Sequence, residues 1–437
     1  MKLKKKNKII VYLFTFAFIS SIFQLYLIEV GTKHFISLTF LSSYILGIIL
    51  LFNYKNQIKE IFKNKSIITL FLFFLIQSVS LLWAKDLSMG IKIIASLTVP
   101  YFIFFISSYY ISKKSLFYID RIFLLFFVAL LLEAILVIFF RIDLVAEKSF
   151  LQSEIAKIFI HPNTLEPIHN NTLMARKAGA FFLNANVAAT YLGLSSILLF
   201  SISVIKKKWY LYLLSLLFWL SMFFAGSKIA TILGVLIPII MTFHYLIIIN
   251  KIDIKKKIIL LPSIVVIVLA VAIFFISIQS FINNKNIKVS NNIEIFQNRT
   301  SGAMSGRINI WKYGYEEFKK KPLKGQGFGG WMTKKNWITN MPPHNTLIYL
   351  WSQSGILAPI VALIFMFFIL HFGLKLIKSQ EYELQILGFG LFYSYLWLFI
   401  HGMGTNYGLL GDIHILPLMA VYYGFVYARY SHYNGIK

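Results

Sequence analysis

Long apolar stretches alternate with polar connections along most of the chain. A run of roughly 17–25 predominantly apolar residues is long enough to cross a lipid bilayer as a helix. About twelve such runs can be read, near residues 9–29, 35–53, 66–84, 92–112, 121–140, 187–205, 209–225, 229–249, 258–279, 352–374, 384–402 and 413–430. The pattern predicts an all-α integral membrane protein with about 12 transmembrane helices.

Two connections are much longer than the others, near residues 141–186 and 280–351. Loops of this length inside a compact protein are usually functional. We therefore expect residues 1–437 to form a single polytopic membrane domain, with 280–351 as a large loop that contains short helices and the catalytic groups, and 141–186 as a second loop on the same side.

Composition agrees with this class, because 58% of the 437 residues are hydrophobic and only 14% are charged. The net charge of +27 is largely explained by topology. Basic residues crowd the N-terminal stretch MKLKKKNK, which we expect to precede a retained span, and every second short connection, such as Lys206–Lys208. By the positive-inside rule both termini are cytoplasmic and both long loops are periplasmic, so the charge requires no nucleic acid.

The absence of cysteine excludes disulfides, thiolate metal sites and cysteine nucleophiles. The stretch KKPLKGQGFGGW places Gly325, Gly327 and Gly330 at the G-x-G-x-x-G spacing. A dinucleotide site needs a preceding strand, a following helix and cytoplasmic nucleotide, and this stretch is expected outside the cytoplasm. Two alternatives remain, a flexible turn after Pro322 or a nest of backbone amides that binds an anion.

Upstream of the glycines, the segment SGRINIWKYGYEEF predicts a short helix capped by Ser305. Its apolar face is expected to contain Ile308, Trp311, Tyr315 and Phe318. Arg307 lies in the first turn, where a cation opposes the helix macrodipole. This arginine is therefore either a solvated side chain or a ligand for an anion.

Downstream, the segment NMPPHNTLIYLWSQSG predicts a helix that enters the membrane after two prolines. His344 and Asn345 stand at its start. A lone histidine at an interface is usually structural, but a position at a helix start on the outer face, beside basic residues, makes His344 a candidate functional group.

The order of GRINIW, KPLKGQGFG and HNTLIYLWSQSG resembles the C-terminal signature of the O-antigen ligase and polymerase superfamily. His344, Asn345 and Gly355 fit the ligase pattern, whereas Ala358 departs from it. Three earlier segments also resemble the family: residues 80–90, 176–194 and 226–236, the last carrying Ser227-Lys228 where the family usually has Ser-Arg. The resemblance covers roughly residues 66–402.

This resemblance implies transfer of a glycan from undecaprenyl diphosphate to an acceptor hydroxyl, which in ligases belongs to the lipid A core. The partners implied are the undecaprenyl-diphosphate-linked glycan donor, the lipid A-core acceptor and membrane lipids. No cofactor and no metal is expected. The site is expected at the periplasmic face of a bacterial inner membrane.

Roles follow from the same resemblance. Arg307 and Lys228 would stabilise the charge that develops on the departing diphosphate, and His344 would orient or deprotonate the acceptor hydroxyl. The residues expected to bind substrate are Arg176, Asn186, Asn345, Gly325 and Gly327.

Several alternatives stay open at this point. An O-antigen or capsule polymerase would use the same donor, and a polysaccharide flippase would also have about twelve spans, although a transporter should show internal repeats. Glu133, inside the fifth predicted span, is either functional or paired with a cation from another span. His401 and His414 flank an outer loop and are interpreted as structural, with a supporting role at the site as the alternative.

Overall fold

The computed structural model describes residues 5–23, 26–30, 34–53, 60–159, 177–182, 184–248, 303–329, 343–405 and 414–434, with isolated positions between 266 and 282. The described part of the chain is predominantly helical. Its helices are α1 (Lys5–Phe23), α2 (Leu38–Asn53), α3 (Lys65–Ser80), α4 (Leu87–Ile93), α5 (Val99–Lys114), α6 (Leu116–Ile142), α7 (Leu144–Leu151), α8 (Glu154–Phe159), α9 (Ala185–Lys206), α10 (Trp209–Phe224), α11 (Lys228–Ile248), α12 (Ala303–Lys320), α13 (Thr346–Ser354), α14 (Leu357–Ile377), α15 (Tyr382–Gly402) and α16 (Ile415–Tyr433).

The predicted multi-span helical class is confirmed, whereas the count of about 12 spans stays a prediction. Within the described residues, seven helical segments are long and apolar enough to cross a membrane, and three shorter apolar helices accompany them. Eleven of the twelve predicted ranges overlap a described helix. The remaining range, 258–279, lies mostly outside the described residues.

A short antiparallel hairpin departs from the all-α prediction. Strands β1 (Tyr26–Val30) and β2 (His34–Ser37) pair with one another, so the first predicted span ends earlier, at Phe23. Ile28 and Val30 are β-branched and favour extended backbone. An apolar run was sufficient to predict a span but did not distinguish the helix from the strand that follows it.

The bundle is built around α9 and α15. Their apolar windows are 83% and 72% buried inside the protein, against 33–44% for the other five long segments. The outer helices expose large apolar side chains, such as Leu125 and Phe139 on α6, as expected for helices that face lipid. Helix α16 packs along α5, where the Ser108 hydroxyl donates to the Val421 carbonyl at 2.6 Å.

Helix α12 forms within the long loop as predicted, with two corrections. It begins at Ala303, so Ser305 lies inside its first turn rather than at the cap. The predicted apolar face is also shifted, because Tyr315 is 52% exposed whereas Ile310 is 2% exposed. The inner face is selected by packing against α13, where the Phe318 ring meets the Trp351 ring.

Candidate functional site

His344 and Asn345 stand where α13 begins. The Asn345 side-chain oxygen accepts from the Leu347 and Ile348 amides, both at 3.1 Å, which caps the helix. The Asn345 amide nitrogen donates to the Met403 carbonyl at 3.2 Å, and the Thr346 hydroxyl donates to the Gly402 carbonyl at 3.0 Å. The start of α13 is therefore fixed to the C-terminal end of α15.

The same end of α15 also receives the start of α11. Lys228 is the first residue of α11, and its side chain is exposed. The next residue, Ile229, lies so close to Gly404 that a methyl group on that glycine would collide with the Ile229 Cδ1 atom. Lys228 and His344, far apart in sequence, thus lie at the starts of two helices that both contact the end of α15. We call this meeting point, at residues 401–405, the junction.

A third helix start completes this junction. Asn184 caps α9 by accepting from the Asn186 amide at 2.9 Å. The Asn186 carbonyl accepts from the Thr190 hydroxyl at 2.7 Å, and that hydroxyl lies 3.1 Å from His401 Nε2. Asn186 is half-buried. The Asn186 side chain is therefore partly accessible, and the Asn186 backbone carbonyl holds the Thr190 hydroxyl that lies beside His401.

His401 is the buried centre of the junction. Its side chain is 0% exposed and lies between the Thr190 hydroxyl and the Thr405 hydroxyl, the latter 3.0 Å from Nδ1. The only sign of this in the sequence was a histidine at the end of an otherwise apolar span. His414, by contrast, is bonded through Nδ1 to the Ser21 carbonyl at 2.9 Å and packs on the Phe182 ring.

Helix α12 brings Arg307 to the same end of α13 as His344. The Trp311 indole donates to the Pro343 carbonyl, immediately before His344. Phe318, further along α12, meets Trp351, further along α13. The two helices therefore run in the same direction, and Arg307, one turn before Trp311, lies at the His344 end.

The glycine-rich segment is a packed turn between two other segments. The Gln326 amide donates to the Ser352 carbonyl at 2.8 Å, and the Gly327 amide donates to the Gln353 carbonyl at 2.9 Å. The Gly325 amide donates to the Lys321 carbonyl at 2.9 Å. The described hydrogen bonds thus occupy these amides with protein acceptors, and substrate binding by Gly325 and Gly327 stays a prediction.

Gly327 is required by this packing, which gives a first testable expectation. Its φ of +89° lies in the left-handed region, and an added Cβ would be 2.6 Å from the Ala84 nitrogen. Gly327→Ala should destabilise the protein by about 1–3 kcal/mol through overpacking. Thermal unfolding in detergent measures the effect. Gly47→Ala is the control, because its added Cβ meets only side-chain atoms, those of Ile103, and no backbone. Equal melting temperatures of the two variants would contradict the expectation.

Arg176 lies outside the described residues, but its neighbour Lys177 is described and half-buried. The following Ala178 amide donates to the Ala225 carbonyl at 3.2 Å. This bond brings the end of the second long loop beside the turn that leads into α11. Lys177, one residue before this bond, is a cation that the sequence motifs did not single out.

Three helix N-termini and the C-terminal end of α15 come together at the junction. The N-termini of α9, α11 and α13 meet there, and helix N-termini favour anions. At the other end of α12 from Arg307, the Glu317 carboxylate accepts hydrogen bonds from Lys320 and from the Gln326 side chain, both at 2.8 Å. This carboxylate raises the pKa of Lys320. Among the described residues, no group of three or more His, Cys, Asp or Glu is arranged to hold a metal ion.

Comparison with known proteins gives a family match over part of the chain. Residues 212–364 match the family model described as O-Antigen ligase. This range includes Lys228, Arg307, Gly325, Gly327, His344 and Asn345. The resemblance drawn from the motifs is thereby confirmed over this range, which supports a multi-pass membrane enzyme of the O-antigen ligase or polymerase type. No curated protein matched the chain.

Proposed function

We propose that the protein is an O-antigen ligase that transfers a polysaccharide from undecaprenyl diphosphate to the lipid A core of lipopolysaccharide. The reaction takes place at the periplasmic face of a bacterial inner membrane, with both termini of the chain in the cytoplasm. The observation that carries the proposal is the meeting of three helix starts at residues 401–405, with Lys228 and His344 at two of them and α12 directing Arg307 to the same end.

The chemistry of transfer suits this junction. The bond between the anomeric carbon and the phosphate oxygen breaks, and its electron pair leaves with the lipid diphosphate. Arg307, Lys228 and the helix N-termini stabilise that negative charge where it develops. The acceptor hydroxyl oxygen forms the new bond, and His344 takes its proton as general base. The activated donor supplies the driving force, so no cofactor or metal is proposed.

Lys228 is proposed as the charge that an arginine supplies in the resembling family. Lys228→Arg should keep transfer close to the wild-type rate, because the cation remains and gains a bidentate fork. Lys228→Ala should lower transfer about 10²–10³-fold, the loss typical of one removed electrostatic donor. Lys208→Ala removes an exposed lysine elsewhere and serves as control. Unchanged transfer in Lys228→Ala would remove this residue from the site.

The proposed membrane side is testable in the natural cysteine-free background. Lys312 is exposed on α12, and Lys208 is exposed between α9 and α10. Lys312→Cys should react with an impermeant thiol reagent in cells whose outer membrane alone is permeabilised, whereas Lys208→Cys should react only after the inner membrane is broken. The reverse order of labelling would place the junction in the cytoplasm and overturn the proposal.

A polymerase is the second candidate, and Ala358 is the observation that favours it. The ligase pattern has Gly, Thr or Tyr at this position, whereas this chain has Ala358, which is fully buried on α14. Gene deletion followed by lipopolysaccharide electrophoresis distinguishes the two. Loss of capped lipopolysaccharide with polymer accumulating on its lipid carrier supports a ligase, whereas cores capped with a single repeat unit indicate a polymerase.

A further inference from the structure

Glu133 is the buried acidic group within α6 that the proposed reaction does not use. Its side chain is 0% exposed, and Oε2 accepts from the Phe181 amide at 3.0 Å. The other oxygen, Oε1, is buried and has no hydrogen-bond partner among the residues that the structure describes. A carboxyl group inside a membrane span is energetically unfavourable, so its presence there indicates a structural or functional role.

The partner segment is not regular helix, although it lies at membrane depth. Glu133 precedes Ile142, the last residue of α6, by nine positions, which corresponds to roughly 13 Å of helix. Phe181 lies in a short 3₁₀ turn, Ala180–Phe182, that begins with Ala180 at a φ of +42°. Irregular backbone at this depth must find internal partners for its amides. Glu133 supplies the partner for Phe181.

The turn fixed by Glu133 connects directly to the proposed site. Three residues before Phe181, the Ala178 amide bonds to the Ala225 carbonyl, beside the turn that leads to Lys228. Three residues after it, Asn184 caps α9 at Asn186. Glu133 therefore holds a segment whose two ends reach the starts of α11 and α9.

We propose that Glu133 is a positioning residue, which fixes the segment 177–182 from within the membrane and so places Lys177, at the start of that segment, toward the turn that leads into α11. The role rests on the proposed function, since it concerns the cations that would meet the diphosphate. The role depends on the reach of an acceptor oxygen to the Phe181 amide and not on charge, because within the described part of the chain that amide is the one hydrogen-bond partner of the Glu133 carboxyl group.

Two substitutions separate reach from charge. Glu133→Gln keeps the length of the side chain and an acceptor oxygen but removes the carboxylate. Glu133→Asp keeps the carboxylate but is one methylene shorter and withdraws the oxygen from the Phe181 amide. Both changes are small, and the melting temperature and yield in detergent verify that each variant is folded.

Hydrogen exchange of the intact protein, followed by mass spectrometry, measures the protection of the Phe181 amide and its neighbours independently of enzymatic activity. In Glu133→Asp the amides of 177–182 should exchange faster than in wild type, while those of α9 stay protected. In Glu133→Gln exchange should match wild type, because the hydrogen bond to the backbone amide is retained. Unchanged exchange in Glu133→Asp would overturn the proposal.

Transfer from lipid-linked donor to core acceptor gives the second readout. Glu133→Gln should stay within about twofold of wild type, and Glu133→Asp should fall on the order of 10–100-fold, as expected when a charge that meets the substrate is displaced by about 1 Å. An active Glu133→Asp with an inactive Glu133→Gln would assign the role to the carboxylate and overturn positioning. If the wild-type protein transfers no glycan while hydrogen exchange behaves as expected, the proposed function is wrong but the positioning of segment 177–182 by Glu133 is supported.

Discussion

Replacement of Arg307 by alanine is expected to lower glycan transfer about 10²–10³-fold, the cost of removing one preorganised electrostatic donor from an active site. The donor leaves as a lipid diphosphate, and a guanidinium can bind two of its oxygens together. Trp311, one turn later on α12, bonds to the Pro343 carbonyl, which places this end of α12 beside His344. Binding of the lipid-linked donor should weaken as well, because the diphosphate is already charged before transfer.

The matched control is Lys312→Ala on the same helix, since Lys312 is exposed. It should transfer glycan at nearly the wild-type rate. Arg307→Lys should retain part of the activity, because it restores the charge without the planar fork. Initial rates with purified variants, together with donor binding by fluorescence, measure both effects. Wild-type rates in Arg307→Ala would exclude it from the site.

Replacement of His344 is expected to lower transfer about 10²–10⁴-fold, the range for loss of a general base. In this case donor binding should persist, since the imidazole is proposed to face the acceptor hydroxyl rather than the diphosphate. Transfer and donor binding must therefore respond differently in the His344 and Arg307 variants, which separates the two proposed roles.

The backbone at His344 requires a careful choice of substitution. Its φ of +49° is left-handed, a conformation that Asn and Gly adopt more easily than Ala. His344→Asn therefore removes the imidazole with little added strain, and His344→Ala removes it with strain. Equal loss in both variants supports the chemical role. A normal rate in His344→Asn would show that only the turn matters, and loss of donor binding would move His344 to the diphosphate side.

The spans could be predicted because length and apolarity are local properties. The helices α9 and α15 follow directly from such runs. The helix after His344 and Asn345 was also predicted, and Asn345 caps it. The hairpin was missed because Tyr26–Val30 continues the apolar run of α1, and its strand pairing depends on His34–Ser37.

The site was only partly predictable, because its geometry is non-local. The motifs identified Lys228 and His344 separately, but their proximity depends on Gly404 and Met403 at the end of α15. Likewise, the spacing of Gly325 and Gly327 was compatible with a flexible turn or with an anion-binding nest. The Gln326 and Gly327 amides instead donate to the carbonyls of Ser352 and Gln353, which belong to another helix. Neither relation is encoded by a nearby residue pattern.

The most direct test of the central claim is glycan transfer by the purified protein in lipid vesicles. Undecaprenyl-diphosphate-linked polysaccharide and lipid A-core are supplied, with no nucleotide, and the products are separated by electrophoresis. We predict polymer-capped lipid A-core, with free undecaprenyl diphosphate released in equal amount, and formation of both products about 10²–10³-fold slower with the Arg307→Ala variant. Chain lengthening on the undecaprenyl carrier without capped lipid A-core, or movement of donor across the vesicle membrane without transfer, would contradict the account.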